Sequence, residues 1–181
     1  MRETQTAVLL AELIDARLDA IVIALPVVDH DLESMALMED KFVVAVPRGH
    51  ESKRRIVVNE ELLRERRLLL LEEGHCFRDQ ALSYCSLQQS SAFNTLGVSS
   101  FATIVRMVAN GLGITFLPEM AIATEVRQNE VRILRVTNPE PKRTIGLAWR
   151  KTSPRKGDFS ALGQLIMSLG PQLRSQIGRA H

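Results

Sequence analysis

The chain has 181 residues, of which 45% are hydrophobic, 24% charged and 4% aromatic, and its 23 basic and 21 acidic side chains leave a net charge of +2. That is the make-up of a soluble globular protein with room for one sizeable core or two small lobes. It gives no strong electrostatic reason to expect nucleic-acid binding and few stacking platforms for bases, and it holds no apolar run near the ~20 residues that span a bilayer.

Met1-Arg2-Glu3-Thr4 is not followed by the apolar segment of a signal peptide, so a cytoplasmic location is the default and no membrane partner is expected. Gln5 to Ala16 reads as a helix with Val8, Leu9 and Leu13 on one stripe. Ala20 to Leu25, closed by Pro26, and Phe42 to Val46, closed by Pro47, are short continuous apolar runs of the kind found in buried parallel strands. The basic groups Lys53-Arg54-Arg55, Arg64 and Arg66-Arg67 read as solvated faces rather than a phosphate patch. Asn59 is placed to cap a short helix from Glu60 to Arg66.

Leu68 to Leu71 is a third buried strand, broken at Gly74, and a helix-compatible stretch runs from Cys76 towards Cys85. Thr95 to Val98 reads as a strand. Ser99 or Ser100 caps a helix that carries Phe101, Ile104, Val105 and Val108 and ends at Gly111 or Gly113. Ile114 to Leu117, Val131 to Val136 and Thr144 to Trp149 are further strands, and Phe159 to Leu169 is a last amphipathic helix. Strands alternating with helices predict an α/β fold with parallel sheets. Pro47 to Ser52 and Asn138 to Lys142 are candidate crossings between two lobes, the first built from residues 1–45 and 146–181 and the second from residues 46–145.

The chemistry concentrates around the only two cysteines, Cys76 and Cys85, nine positions apart. Cys76 follows Gly74, starts the expected helix and has His75 and Arg78 beside it. Cations and helix N-termini favour the reactive thiolate, so Cys76 suits attack on an oxidant. Cys85 lies between Tyr84 and Ser86 without a basic neighbour and suits the resolving role. A sulfenic acid on the first thiol condenses with the second to a disulfide. In a regular helix those nine residues rise ~13.5 Å, with the side chains on opposite faces. A disulfide needs Cα atoms about 4.4–6.8 Å apart, so the bond requires local remodelling. The competing reading is that both cysteines are unlinked residues packed as small hydrophobes. Two cysteines and four scattered histidines show no paired metal-ligand spacing, so neither zinc nor another cofactor is expected.

Three stretches carry a resemblance: Leu71-Glu72-Glu73-Gly74-His75-Cys76-Phe77-Arg78-Asp79-Gln80-Ala81 with Cys85, Ser100 to Pro118, and Pro139 to Leu147. Together with Glu3-Thr4-Gln5-Thr6 and Leu18 to Val22, they resemble the effector domain of the LysR-type transcriptional regulators. The Gly-His-Cys segment is similar to that of the peroxide-sensing members. The resemblance implies two Rossmann-like lobes akin to periplasmic binding proteins. It implies that peroxide oxidises Cys76 and that a reversible Cys76–Cys85 disulfide remodels a dimer interface. His75, Arg78 and Arg143 would line the thiolate site, and Thr6 matches a threonine that helps hold peroxide, its other reading being a helix N-cap hydroxyl. The implied partners are hydrogen peroxide, further copies of the chain (a homodimer, or a tetramer in full-length members) and a glutaredoxin-type reductant. Promoter DNA and RNA polymerase would be reached only through a winged helix-turn-helix that the resemblance expects ahead of an N-terminally truncated domain. Such a sensor is not an enzyme. The alternatives are a generic small-molecule effector domain, with Ser99 and Ser100 at a helix N-terminus holding a carboxylate, and a thiol peroxidase built on Cys76.

Overall fold

The computed structural model describes residues 4–48, 66–84, 96–127, 130–136 and 140–178. In chain order the elements are α1 (Thr6–Ile14), β1 (Ala20–Leu25), β2 (Leu32–Pro47), β3 (Leu69–Leu71), α2 (Cys76–Tyr84), β4 (Leu96–Val98), α3 (Phe101–Ala109), β5 (Thr115–Pro118), a 3-10 turn (Glu119–Ala121) running into α4 (Ile122–Glu125), β6 (Val131–Arg135), β7 (Lys142–Arg150) and α5 (Lys156–Gly178). The chain divides into two compact units, Met1–Asp40 with Arg143–Ala180, and Lys41–Lys142.

In the first unit β1 lies antiparallel to β7, from Ala20 opposite Trp149 to Leu25 opposite Thr144. β7 in turn neighbours β2. Successive strand residues face opposite sides, and the apolar side chains sort accordingly. Ile21, Ile23 and Ala148 pack with Leu13 of α1 and with Leu32. Leu147 and Trp149 pack with Leu37 and with Phe159 of α5. The sheet is therefore covered by a helix on each face. Two glycines allow the close approach: a Cβ on Gly146 would run into the Leu25 side chain, and one on Gly163 would sit 2.6 Å from the Met35 sulfur. The end of α1 is held from β7, where Arg150 Nη1 donates to the carbonyls of Leu13 and Leu18. The Leu13 carbonyl is one of those a helix C-terminus leaves without an i+4 partner, and Leu18 lies in the link that leads into β1.

In the second unit the far half of β2 pairs antiparallel with β5, Val43 opposite Leu117, and with β6, Val43 opposite Arg135. β3 and β4 run parallel, Leu70 opposite Gly97, and Leu68 makes a parallel bridge to Ile114. One continuous apolar core joins Phe42 to Val46, Leu68 to Leu71, Phe116 and Leu117 with Phe77 and Ala81 of α2 and with Ile104, Val105 and Val108 of α3. Ser100 caps α3, its hydroxyl accepting from Thr103 N–H at 3.3 Å. The helix ends with Asn110 and a left-handed Gly111 (φ 78°), the usual glycine exit.

Two sequence expectations change. The strand expected over Phe42 to Val46 is the end of a 16-residue strand. Its first half is mostly half-buried or exposed, with only Leu32 and Leu37 buried, so it lacked the continuous apolar run that marked the second half. The main described pairings, β1–β7, β2–β5 and β2–β6, are antiparallel rather than parallel. A strand covered on both faces is apolar throughout whichever way its neighbour runs, so the run could not report direction. The helix expected from Glu60, the residues 49–52 and 137–139 of the two expected crossings, and Thr95 lie outside the described residues.

Candidate functional site: the Cys76 helix start

β3 ends at Leu71 and the chain turns through Glu72, Glu73 and Gly74. Gly74 has φ 92°, a backbone conformation that side chains resist. This reversal sets Cys76 as the first residue of α2. The sulfur therefore sits where the helix leaves N–H groups unpaired and its dipole is positive. Cys76 is a free thiol and half-buried.

The cation at this turn is fixed. Arg78 N–H donates to the His75 carbonyl at 2.9 Å, closing the first turn, and Arg78 Nη1 donates to the Leu71 carbonyl at 3.1 Å. Arg78 thus ties the end of β3 to the start of α2. Glu72 N–H donates to the Val98 carbonyl, which continues the β3–β4 pairing into the turn. His75 is half-buried, while Glu72, Glu73 and Asp79 are exposed.

An adjoining face of α2 is anchored by rings and a small residue. Phe77 is 4% exposed and packs edge-on against Phe42 and Phe101, at centroid separations of 4.9 and 5.3 Å. Ala81 is fully buried, and Tyr84 meets Phe116 at 5.9 Å. The residue after Cys76 and the residue before Cys85 are therefore both tethered to the core of the second unit. Cys85 itself lies outside the described residues.

Cys76, His75 and Arg78, named from sequence, are brought together on one turn. The other two candidates belong to the first unit. Arg143 makes an ion pair with Asp40, both Nε and Nη2 lying 2.9 Å from Oδ2. Asp40 carries no sequence signal that marks it as buried; it is 4% exposed, and its side chain is held by an arginine 103 residues away. Thr6 is the first residue of α1, and the N-cap position belongs to Gln5, which makes no side-chain cap bond. The N-cap reading of Thr6 is therefore corrected. Sequence reasoning also missed Gln80, four residues after Cys76, whose Oε1 is buried without a hydrogen-bond partner. The i, i+4 spacing was a visible signal, but the burial was not. Ser100 Oγ, considered for a carboxylate ligand, is taken up by the N–H of Thr103 and by its hydroxyl, 3.0 Å away. Among the described residues no group of His, Cys, Asp and Glu could hold a metal, and no helix is long and apolar enough to cross a membrane.

Residues 1–169 match the LysR substrate binding domain. The chain is 37% identical over 169 residues to a probable hydrogen peroxide-inducible genes activator of Mycobacterium avium, covering 92% of this chain and 54% of that protein. It is 34% identical over 166 residues to the DNA-binding transcriptional dual regulator OxyR of Escherichia coli, with the same coverage of 92% and 54%. Among solved structures, a hydrogen-peroxide-bound cysteine-to-serine variant of OxyR from Corynebacterium glutamicum superposes with a TM-score of 0.86 at 27% identity, covering 98% of this chain and 57% of that one. The chain thus spans about half the length of the curated relatives it matches.

Proposed function

The chain belongs to the LysR substrate binding domain family, and from that premise we propose that it is the hydrogen-peroxide-sensing regulatory domain of a transcription activator. The observation that carries this reading is the placement of Cys76: half-buried, first in α2, behind a left-handed Gly74 and flanked by His75 and Arg78. The relatives named as peroxide-inducible activators and the neighbour solved with peroxide bound support it.

The Cys76 thiolate attacks one peroxide oxygen. The S–O bond forms, the O–O bond breaks, and the departing hydroxide becomes water by taking up a proton equivalent to the one the thiol released on forming the thiolate. Sulfur is oxidised by two electrons to the sulfenic acid. The Cys85 thiolate then displaces hydroxide from that sulfur to give the disulfide. A dithiol reductant of the glutaredoxin class restores both thiols by exchange. One peroxide is consumed per cycle of sensing. The relatives are transcription regulators, a family that is not enzymatic.

Between Cys76 and Tyr84 the described helix rises about 12 Å, and disulfide formation needs Cα atoms within ~7 Å. Closing the bond therefore unwinds α2 and releases the Phe77 or the Tyr84 contact. That rearrangement is the signal, passed on through contacts with a second copy of the chain in a dimer or higher oligomer. Promoter DNA and RNA polymerase would be engaged by segments of such regulators that this chain does not match, in the cytoplasm. The roles of Thr6 and Arg143 rest on the family resemblance alone.

The test is mass spectrometry of the alkylated chain after one equivalent of hydrogen peroxide. A Cys76–Cys85 linked peptide that disappears with a dithiol is the expected result. Sulfenic or sulfinic Cys76 without the linked peptide would sink the switch and leave only the oxidation.

A further inference from the structure

Along most of its length α5 lacks the charges that usually keep a surface helix in water. From Phe159 to Leu173 no residue is charged, whereas a surface helix ordinarily sets charged and polar residues opposite its apolar face. Of the large apolar side chains left exposed among the described residues, Leu162, Leu165, Met167 and Leu169 fall on this one helix, and Leu165 is 57% exposed. Exposed apolar residues scattered singly need no explanation. Three of these are not scattered. Leu162, Leu165 and Leu169 stand at i, i+3 and i+7, within about 60° of each other around the helix axis. Phe159, Gly163 and Ile166, which face the sheet at Met35, Leu37, Leu147 and Trp149, centre about 90° away. The leucine stripe is therefore a second apolar face, and the sheet does not cover it.

We propose that this stripe seats the same stripe of a second copy of the chain, with the two α5 helices antiparallel. Apolar residues at three- and four-residue spacing form the seam along which helix packs on helix. A two-fold axis beside Leu165 sets that residue against its counterpart, and Leu162 against Leu169 of the second copy. Charge selects both the identical partner and the antiparallel sense. Uncharged surface meets uncharged surface, so no ion is stripped of water. The nearest charges in sequence are Asp158 before the stretch and Arg174 after it. Antiparallel helices bring the acidic end of each to the basic end of the other, whereas parallel helices set like charge against like. Asp158 continues the line of the stripe, four residues before Leu162, and its side chain is 68% exposed. The one hydroxyl next to Leu169 makes no demand for water, because Ser168 Oγ donates to the Leu165 carbonyl at 2.7 Å. The proposal does not depend on the chemistry of the cysteines.

The experiment is sedimentation of the 181-residue chain over concentrations of roughly 1 to 500 µM, the range in which a small interface below ~1,200 Å² associates. Leu165→Glu should halve the mass reached at the top of that range, and Leu165→Lys should do the same. Mixed in equal amounts, the two variants should associate again, which misfolded chains would not do. A covalent arm fixes the geometry. With Cys76→Ser and Cys85→Ser in place, Leu165→Cys should form a disulfide between copies under copper–phenanthroline, since that bond needs Cα atoms about 4.4–6.8 Å apart. Gln164→Cys, exposed on the same helix but turned away from the stripe, should not. A parent chain that stays a single chain throughout, or association that Leu165→Glu leaves intact, would overturn the proposal. Equal cross-linking at positions 164 and 165 would overturn it as well, because contact would then lack the seam.

Discussion

The two units hold themselves together by different means. The first, built from both ends of the chain, divides its apolar residues between the two faces of one sheet and ties its elements with side-chain bonds over long sequence distances. Arg143 grips Asp40, Arg150 holds the end of α1, Arg155 reaches Asp19, and Glu33 accepts from both Lys156 and Trp149. The second unit gathers one large continuous core, and α2 is fastened to it mainly by Phe77, Ala81 and Tyr84. Apolar contact is non-directional, whereas a charge removed from its partner inside a protein is left uncompensated. Under the proposed switch α2 would unwind, and a helix held by rings gives way at lower cost than one held by ion pairs.

The largest expected effect is on the apolar side. Phe77→Ala removes two edge-on ring contacts and a buried side chain, and should cost about 3–5 kcal/mol, read as a lowered urea midpoint of the reduced chain. Phe77→Leu should recover more than half of that loss. If Phe77→Ala costs under ~1 kcal/mol, α2 is not held by its rings and the contrast fails.

Next comes the polar frame. Asp40→Asn removes the carboxylate charge facing the Arg143 guanidinium, which is 14% exposed, and about 3 kcal/mol should be lost. Replacing both residues with apolar ones of similar size, Asp40→Leu with Arg143→Met, should restore much of the stability, because desolvation of the two charges is then avoided. A double variant no better than Asp40→Asn would show that the pair is more than a mutual neutraliser.

The smallest effect is a pH dependence. The bonds from Lys156 first, then Trp149, hold the Glu33 carboxyl below its ordinary range. A carboxyl whose folded pKa is depressed contributes stability above its unfolded pKa and loses it as pH falls through the folded value. The chain should therefore lose melting temperature from about pH 4 downwards partly through Glu33, since an ordinary glutamate titrates near ~4.3. Glu33→Gln should flatten that acid limb while leaving the neutral plateau slightly lower. Parallel curves for the two proteins would show that Glu33 adds nothing.

Features governed by local physics are legible in the sequence alone. The Ser100 cap, the glycine exit at Gly111, the apolar stripe Ile104, Val105 and Val108, and the start of a helix at Cys76 follow from residue types a few positions apart. The grouping of His75, Cys76 and Arg78 was legible for the same reason, and so was the barrier to a disulfide within a regular helix. The second half of β2 declared itself through Val43 to Val46, but its largely exposed and half-buried first half did not.

What only the tertiary structure decided involves partners far apart in the chain. The direction of β2 against β5 and β6, the pairing of β1 with a strand more than a hundred residues later, and the capture of Arg143 by Asp40 all depend on which segments meet. The unpartnered oxygen of Gln80 belongs with them, because burial is a property of the surroundings and not of the residue. Helix signals are local because each backbone bond spans four residues. Strand pairing and ion pairing have no such range, so composition and spacing constrain them weakly.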